Sequence, residues 1–378
     1  MLKIIADDKI PFLQGILEPY ADVKYYPGAK TTAKIVKDAD ALITRTRTVC
    51  NSDLLTDSRV KMIATATIGY DHIDTTFCKA NNINWTNAPG CNSGSVKQYM
   101  ASAFSNLALI NKLNFSDLTI GIIGVGNVGS KVKALAEGLG MRVLLNDPPR
   151  QEKEKSSNFV GIDRIQKEAD IITFHVPLTN IAPYKTKHLC NKEFLDQCKN
   201  GVVIINSSRG EVADNIDLLR SKLSGKVNSI ILDVWENEPA LNPDLIKETL
   251  VATPHIAGYS ADGKANGTAM SVQAISEYFN LPLTHWFPNN LPVNKDTDIK
   301  IDCKRKSIQQ IQIEAILYTY DIMEDDKRLR NAPSSFEKLR GSYPIRREFE
   351  AYKIILQGGS KNIEAALNKI GFKDVQCI

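Results

Sequence analysis

The stretch LTIGIIGVGNVGSKVKALAEGLGMRVLLNDPP, residues 118–149, constrains the fold of this chain more than any other. An apolar run ends in the glycine turn GVGNVG, a helical pattern follows, and a second apolar run ends at Asp147. Gly124, Gly126 and Gly129 stand in G-x-G-x-x-G spacing, and Val128, Val132, Leu135, Ala136 and Leu139 form the apolar face of the helix. A strand–turn–helix–strand unit predicts a parallel pair, because the helix carries the chain back to start the second strand beside the first. Three glycines alone make only a turn. Between a strand and a helix, with an acid about twenty residues on, they make the dinucleotide-binding fingerprint. The glycines let the backbone approach a pyrophosphate, and the start of the helix, with Asn127 and Val128, supplies N–H donors. Asp147 accepts from the ribose hydroxyls and repels a 2′-phosphate, which favours NAD over NADP. Arg150 argues the other way, as a guanidinium able to take that phosphate, and a helix cap or turn is the plainer role for Asp147.

The same alternation runs through most of the chain. LKIIA, ALIT, KMIAT and INWTN before the fingerprint, and DIITFHV, GVVIIN, NSIILDV and TLVATPH after it, read as strands. With helical stretches between them they predict a doubly wound, mostly parallel α/β sheet. A helix is predicted from about Ser95 to Lys112, with Val96, Tyr99, Met100, Ala103, Phe104, Leu107 and Ile110 on one apolar face. Prolines and asparagines then cluster in LPLTHWFPNNLPVNKDTD, as in a linker. Beyond it, IKIDCK alternates as a half-buried strand. The helix predicted over Ser307–Ile322 has one apolar stripe of Ile308, Ile311, Ala315, Tyr318 and Ile322, and a second of Ile313, Leu317 and Tyr320. Two stripes predict contacts on two sides.

Composition narrows the class. At 378 residues the chain exceeds one ordinary core, and 43% hydrophobic with 24% charged residues is a globular balance. No apolar run approaches the ~20 residues that span a bilayer. The seven cysteines include no Cys-x-x-Cys pair, which predicts free thiols in a reducing cytoplasm and no metal site. A net charge of +4, without a basic tract, argues against nucleic acid as a partner.

Three motifs close three successive segments: NSSRGEVAD with Arg209, LDVWENEP with Glu238, and ATPHIAGYS with His255. Each falls just after a predicted strand, on the side where open α/β sheets bind ligands. Singly, they read as a solvated charge, a turn glutamate and a loop histidine. Together, downstream of the fingerprint, they form an acid–base set: a guanidinium fork for a carboxylate, an imidazole for a hydroxyl proton, and a carboxylate that fixes the imidazole's tautomer. His72, His175, His188 and His285 lack a comparable partner motif, and His175 reads as structural or cofactor-lining.

With NDPPR, ATATIGYDHID, NAPGCNSGSV, PYKTKHL and HIAGYS, the arrangement resembles the D-isomer-specific 2-hydroxyacid dehydrogenases over residues 1 to about 285. The resemblance implies a Rossmann NAD domain over 101–259, a discontinuous flavodoxin-like substrate domain over 1–100 and 260–285, and a small α/β dimerization domain over 286–378. It implies catalytic roles for Arg209, Glu238 and His255, and cofactor contacts at Val176, Ser207, Ser208, Arg209, Asp233 and Gly258. It puts substrate contacts at Thr46, Thr67 and Tyr259, for which ordinary loop roles are the alternative. Arg45 and Arg47 flank Thr46 after ALIT, where extended geometry sends both to one side, suited to a phosphate; Arg346 and Arg347 form a second basic pair. The implied chemistry is NAD-linked oxidation of a phosphorylated 2-hydroxy acid by a cytoplasmic homodimer. A dehydrogenase for another 2-hydroxy acid, or a corepressor-like NAD sensor of the same fold, stays open.

Overall fold

The computed structural model describes residues 1–293 and 296–378; Asn294 and Lys295, in the predicted linker, lie outside the described residues. The chain divides into two units, Met1–Asn92 with Ser260–Pro292 and Ser93–Tyr259 with Val293–Ile378.

In the first unit the apolar runs become β1 (Lys3–Asp7), β2 (Asp22–Tyr26), β3 (Ala41–Thr44), β4 (Met62–Thr65) and β5 (Asn84–Thr86). They form one parallel sheet in the order β2-β1-β3-β4-β5, the flavodoxin-like order. β3 and β4 are buried along their whole length, as parallel strands covered on both faces are. β2 is an edge strand, only half-buried, so DVKYY carries no apolar run that sequence reading finds. The chain returns to this unit at Ser260, which caps the helix Ala261–Phe279 through a 2.8 Å bond from the Gly263 N–H. Val272 and Ile275 of that helix share a core with Ile4, Ala6 and Ile43.

The second unit holds β6 (Thr119–Ile123), β7 (Arg142–Asn146), β8 (Ile171–Phe174), β9 (Val202–Asn206), β10 (Val227–Leu232) and β11 (Val251–Ala252). Their order is β7-β6-β8-β9-β10-β11, all parallel. Strand order reverses between β6 and β8, so the carboxyl ends of these two strands flank the crevice where such sheets take ligands. The predicted helix at Ser95–Lys112 spans Ser93–Asn111 and is buried almost all round as far as Ala108, rather than on one face.

Residues after 295 add a third parallel sheet, β12 (Asp298–Asp302), β13 (Lys353–Gln357) and β14 (Asp374–Cys377), in chain order. The helix expected over Ser307–Ile322 ends at Thr319; Tyr320 is extended (φ −163°) and Asp321 caps a new helix, Ile322–Asn331. Of its first stripe, Ile311 and Ala315 are buried while Ile308 and Tyr318 are exposed. This sheet makes no core of its own: Ile299, Ile301, Ile354 and Leu356 join Val132, Leu135 and Leu139 of the fingerprint helix in one apolar cluster. Among the described residues no helix is long and apolar enough to cross a membrane.

Candidate active site

After β6 the chain turns at Gly124, whose φ of +86° lies in the left-handed region. A Cβ there would stand 2.5 Å from the His175 carbonyl oxygen and 2.7 Å from Val176; one at Gly129 would stand 2.0 Å from the Gly124 oxygen. Only glycine permits both approaches. At Gly126 nothing lies within 4 Å of a Cβ position, and the helix Asn127–Leu139 begins there with no side-chain cap. Its first-turn N–H groups border open space without a capping acceptor, an arrangement that receives an anion.

Asp147 takes the cap role that the sequence offers and leaves room for the other. Its Oδ1 caps the helix Pro148–Glu154 by accepting the Arg150 N–H at 3.1 Å, and its Oδ2 accepts the Val125 N–H at 2.8 Å, tying it to the glycine turn. Each oxygen keeps a lone pair for a ribose hydroxyl. Arg150 donates to the Val125 carbonyl and to Glu154, and lies 5.6 Å over the Phe159 ring, so it is engaged elsewhere. This group of residues fits NAD.

Arg209 follows β9 in a loop organised by Asn206. Asn206 Oδ1 accepts from the Ser208 N–H at 3.1 Å and the Ser208 hydroxyl at 2.9 Å, and its amide donates to the Arg209 carbonyl at 2.8 Å. Ser207 lies beside Met100, its hydroxyl 4.0 Å from the sulfur. The Arg209 guanidinium donates to the Ser208 carbonyl at 2.8 Å and is half-buried.

His255 sits in the left-handed region (φ +56°), with its N–H donated to the Asp233 carbonyl at 2.7 Å. Its Nδ1 is 2.8 Å from Glu238 Oε2, and the other oxygen of Glu238 accepts the Trp235 N–H at 2.9 Å. The glutamate is thus fixed from behind, and the imidazole Nε2 has no hydrogen-bond partner among the described residues. Asp233 is 1% exposed. Its carboxylate accepts the Ile256 and Ala257 N–H groups at 2.8 Å each and the Thr253 hydroxyl at 2.7 Å. Burial raises its proton affinity, against the pull of His255 and of these donors. Asp233 therefore carries the His255 loop, in addition to any cofactor contact. Half-buried Gly258 follows in the same loop, and the Tyr259 ring stands edge-on to Tyr343 at 5.8 Å, with Arg340 5.8 Å over its face.

His175, after β8, bonds Thr173 at 3.0 Å, and burial pushes its proton affinity down to about 3. His188 has the partner its sequence motif did not reveal: Nε2 is 2.7 Å from Glu236 Oε1. The doublet ENE places two glutamates two residues apart, and only Glu238 stands out in the sequence, by the proline after it.

In the first unit, Arg45, Thr46 and Arg47 occupy a turn after β3, so extended geometry does not apply to the two arginines. Arg45 donates to the Lys9 carbonyl at 3.1 Å. Thr67, after β4, bonds the Thr65 hydroxyl and the Gly69 carbonyl, each at 2.9 Å, while Thr46 is exposed. Arg346 is not a surface cation: it is 5% exposed and donates to the Ala257 carbonyl at 2.6 Å.

Residues 95–257 match the family described as the D-isomer specific 2-hydroxyacid dehydrogenase NAD binding domain, and residues 291–371 match a domain of unknown function. Over 355 residues the chain is 49% identical to erythronate-4-phosphate dehydrogenase of Bacteroides thetaiotaomicron, covering 94% of this chain and 99% of that one. The enzyme of the same name from Cronobacter sakazakii is 37% identical, with 98% of each chain covered. The crystal structure of D-lactate dehydrogenase from Aquifex aeolicus, complexed with NAD and lactic acid, superposes with a TM-score of 0.62 at 26% identity, covering 74% of this chain and 96% of that one.

Proposed function

The chain belongs to the D-isomer-specific 2-hydroxyacid dehydrogenase family, and we propose that it oxidises 4-phospho-D-erythronate at C2 with NAD. The product is (R)-3-hydroxy-2-oxo-4-phosphooxybutanoate, on the route to pyridoxal 5′-phosphate in the cytoplasm. The chemistry rests on one observation above the rest, the 2.8 Å contact between His255 Nδ1 and Glu238 Oε2. It leaves Nε2 as the proton acceptor, and the carboxylate stabilises the imidazolium that forms. Arg209 offers a planar fork to the substrate carboxylate and 2-oxygen. Gly124, Gly126, Gly129 and Asp147 hold the NAD, whose nicotinamide supplies the hydride acceptor when bound. The substrate's identity is supported by the near-full-length relatives, whose similarity runs through the third sheet. Thr46, Thr67 and Tyr259 are assigned to substrate, with Arg45 for its phosphate.

A homodimer through residues 286–378 is part of the same reading, supported by the exposed Ile308 and Tyr318 on one helix. Light scattering at twice the 41.9 kDa chain mass is expected, and a monomer rejects it.

NADH formation by the purified protein tests the activity on 4-phospho-D-erythronate, D-erythronate, 3-phospho-D-glycerate and D-lactate. The phosphorylated four-carbon acid is expected to dominate. Equal turnover of D-erythronate removes the phosphate requirement, and NAD binding without turnover on any acid replaces the enzyme with a sensor.

A further inference from the structure

The loop that carries His255 is held from two sides. Asp233 takes its N–H groups at Ile256 and Ala257, 2.8 Å each. On the carbonyl side of the same two residues stands Arg346, whose Nη2 donates to the Ala257 oxygen at 2.6 Å and lies 3.4 Å from that of Ile256. We propose that Arg346 is a positioning residue for His255, fixing the loop so that the imidazole stays on Glu238 with Nε2 free for the substrate proton.

The surroundings of Arg346 favour this over a merely packing role. Its guanidinium lies 4.5 Å over the Tyr320 ring and 5.8 Å from that of Tyr343. Both phenols donate to Asp325, at 2.8 and 2.7 Å, so the rings are themselves fixed. Burial presses the guanidinium toward its neutral form, but Tyr343, Tyr320 and Asp325 hold its charge in place. Its Nε and Nη1 are buried without a hydrogen-bond partner among the described residues. A buried cation with unpaired N–H groups is a poor device for stability alone, because an apolar residue of similar volume fills such a site at less cost. What the apolar residue lacks is a donor to the loop carbonyls. That donor matters here because His255 is in the left-handed region, which a side chain such as histidine occupies only when its surroundings hold it.

The proposal rests on His255 being the proton acceptor, so its test includes a readout that needs no substrate. Arg346→Met keeps the volume and removes the donor; Arg346→Lys restores a charge and one donor. In folded Arg346→Met, kcat is expected to fall about ten- to a hundredfold, as for a small misplacement of a reacting group, with the KM for NAD unchanged. The lysine variant recovers part of kcat. In proton NMR of the substrate-free protein, the downfield Nδ1–H resonance of His255 is expected to broaden or vanish in Arg346→Met and to persist in Arg346→Lys; His255→Ala assigns it. An unchanged resonance together with wild-type kcat in folded Arg346→Met overturns the proposal. So does a loss of kcat that merely follows the folded fraction by circular dichroism. If the wild type turns over none of the acids while the resonance still responds to Arg346, the positioning stands and the proposed reaction fails.

Discussion

Two histidine–glutamate pairs stand in the second unit, and their glutamates are two residues apart. His188 with Glu236 and His255 with Glu238 match closely: 2.7 and 2.8 Å contacts, histidine side chains 36% and 33% exposed, and φ of +53° and +56°. The difference lies in the second ring nitrogen. His188 Nδ1 stands 3.5 Å from Asp214, and Glu236 also takes the Asn215 N–H at 2.9 Å at the start of the helix Asn215–Leu223. The pair joins segments of the fold through Nε2 and both Glu236 oxygens, and Nδ1 faces a second carboxylate. His255 has one nitrogen held and the other open, which is what a proton acceptor requires. A carboxylate beside a histidine is not enough for a proton acceptor; an unoccupied nitrogen is also required.

The largest effect expected from this comparison is at His255. His255→Ala should lower turnover by roughly 10²–10⁴-fold, the usual contribution of a general base, with NAD affinity kept, as steady-state NADH formation and NAD titration will show. Near-normal turnover would erase the distinction between the pairs. The glutamates sharpen it. Glu238→Gln should lower kcat by about tenfold or more, since an amide cannot stabilise the imidazolium, whereas Glu236→Gln should leave kcat near wild type. A larger kcat loss in Glu236→Gln would reverse the assignments. His188→Ala should read out as stability, a loss of about 1–2 kcal/mol from unpaired polar groups, measured by denaturant unfolding at unchanged turnover.

How far the sequence foretold these differences depends on the length of the pattern. The fingerprint, the strand runs and the order of Arg209, Glu238 and His255 were legible because they are local, and β6 to β11 follow the runs read from the sequence. β2 and β14 were not, since DVKYY and DVQC are half-buried or exposed and carry no continuous apolar run; β13 does carry one, Ile354–Leu356, which the sequence reading passed over. The pairing of His188 with Glu236 joins residues 48 apart, and that of Arg346 with Ala257 joins residues 89 apart. No spacing rule reaches that far. Arg346 and Arg347 looked like a matched basic pair in sequence, yet burial separates them: Arg346 is buried and Arg347 half-buried. Tyr320 ends its helix although its spacing continues the stripe, because Asp321 caps the next one.

The smallest effect concerns a third histidine, His175, whose proton affinity burial lowers to about 3. Below its ordinary pKa near 6.5 the unfolded chain binds a proton that the native ring does not. Its contribution is therefore intact above pH 6.5 and declines as pH falls toward 3. The residue as a whole keeps some exposure, so a discounted figure of about 1 kcal/mol is expected between pH 6.5 and 5. Urea unfolding at pH 7 and pH 5 should show His175→Gln losing less stability on acidification than the wild type; equal losses would remove His175 from the acid response.

The account turns on an imidazole nitrogen that is open in one pair and faces a second carboxylate in the other, and chemical rescue measures what that difference does. NADH formation from 4-phospho-D-erythronate would be followed in His255→Ala and His188→Ala with increasing free imidazole. Turnover should rise with imidazole in His255→Ala, and should stay near wild type and indifferent to imidazole in His188→Ala. Equal losses in the two variants, with no response to imidazole in His255→Ala, would contradict it.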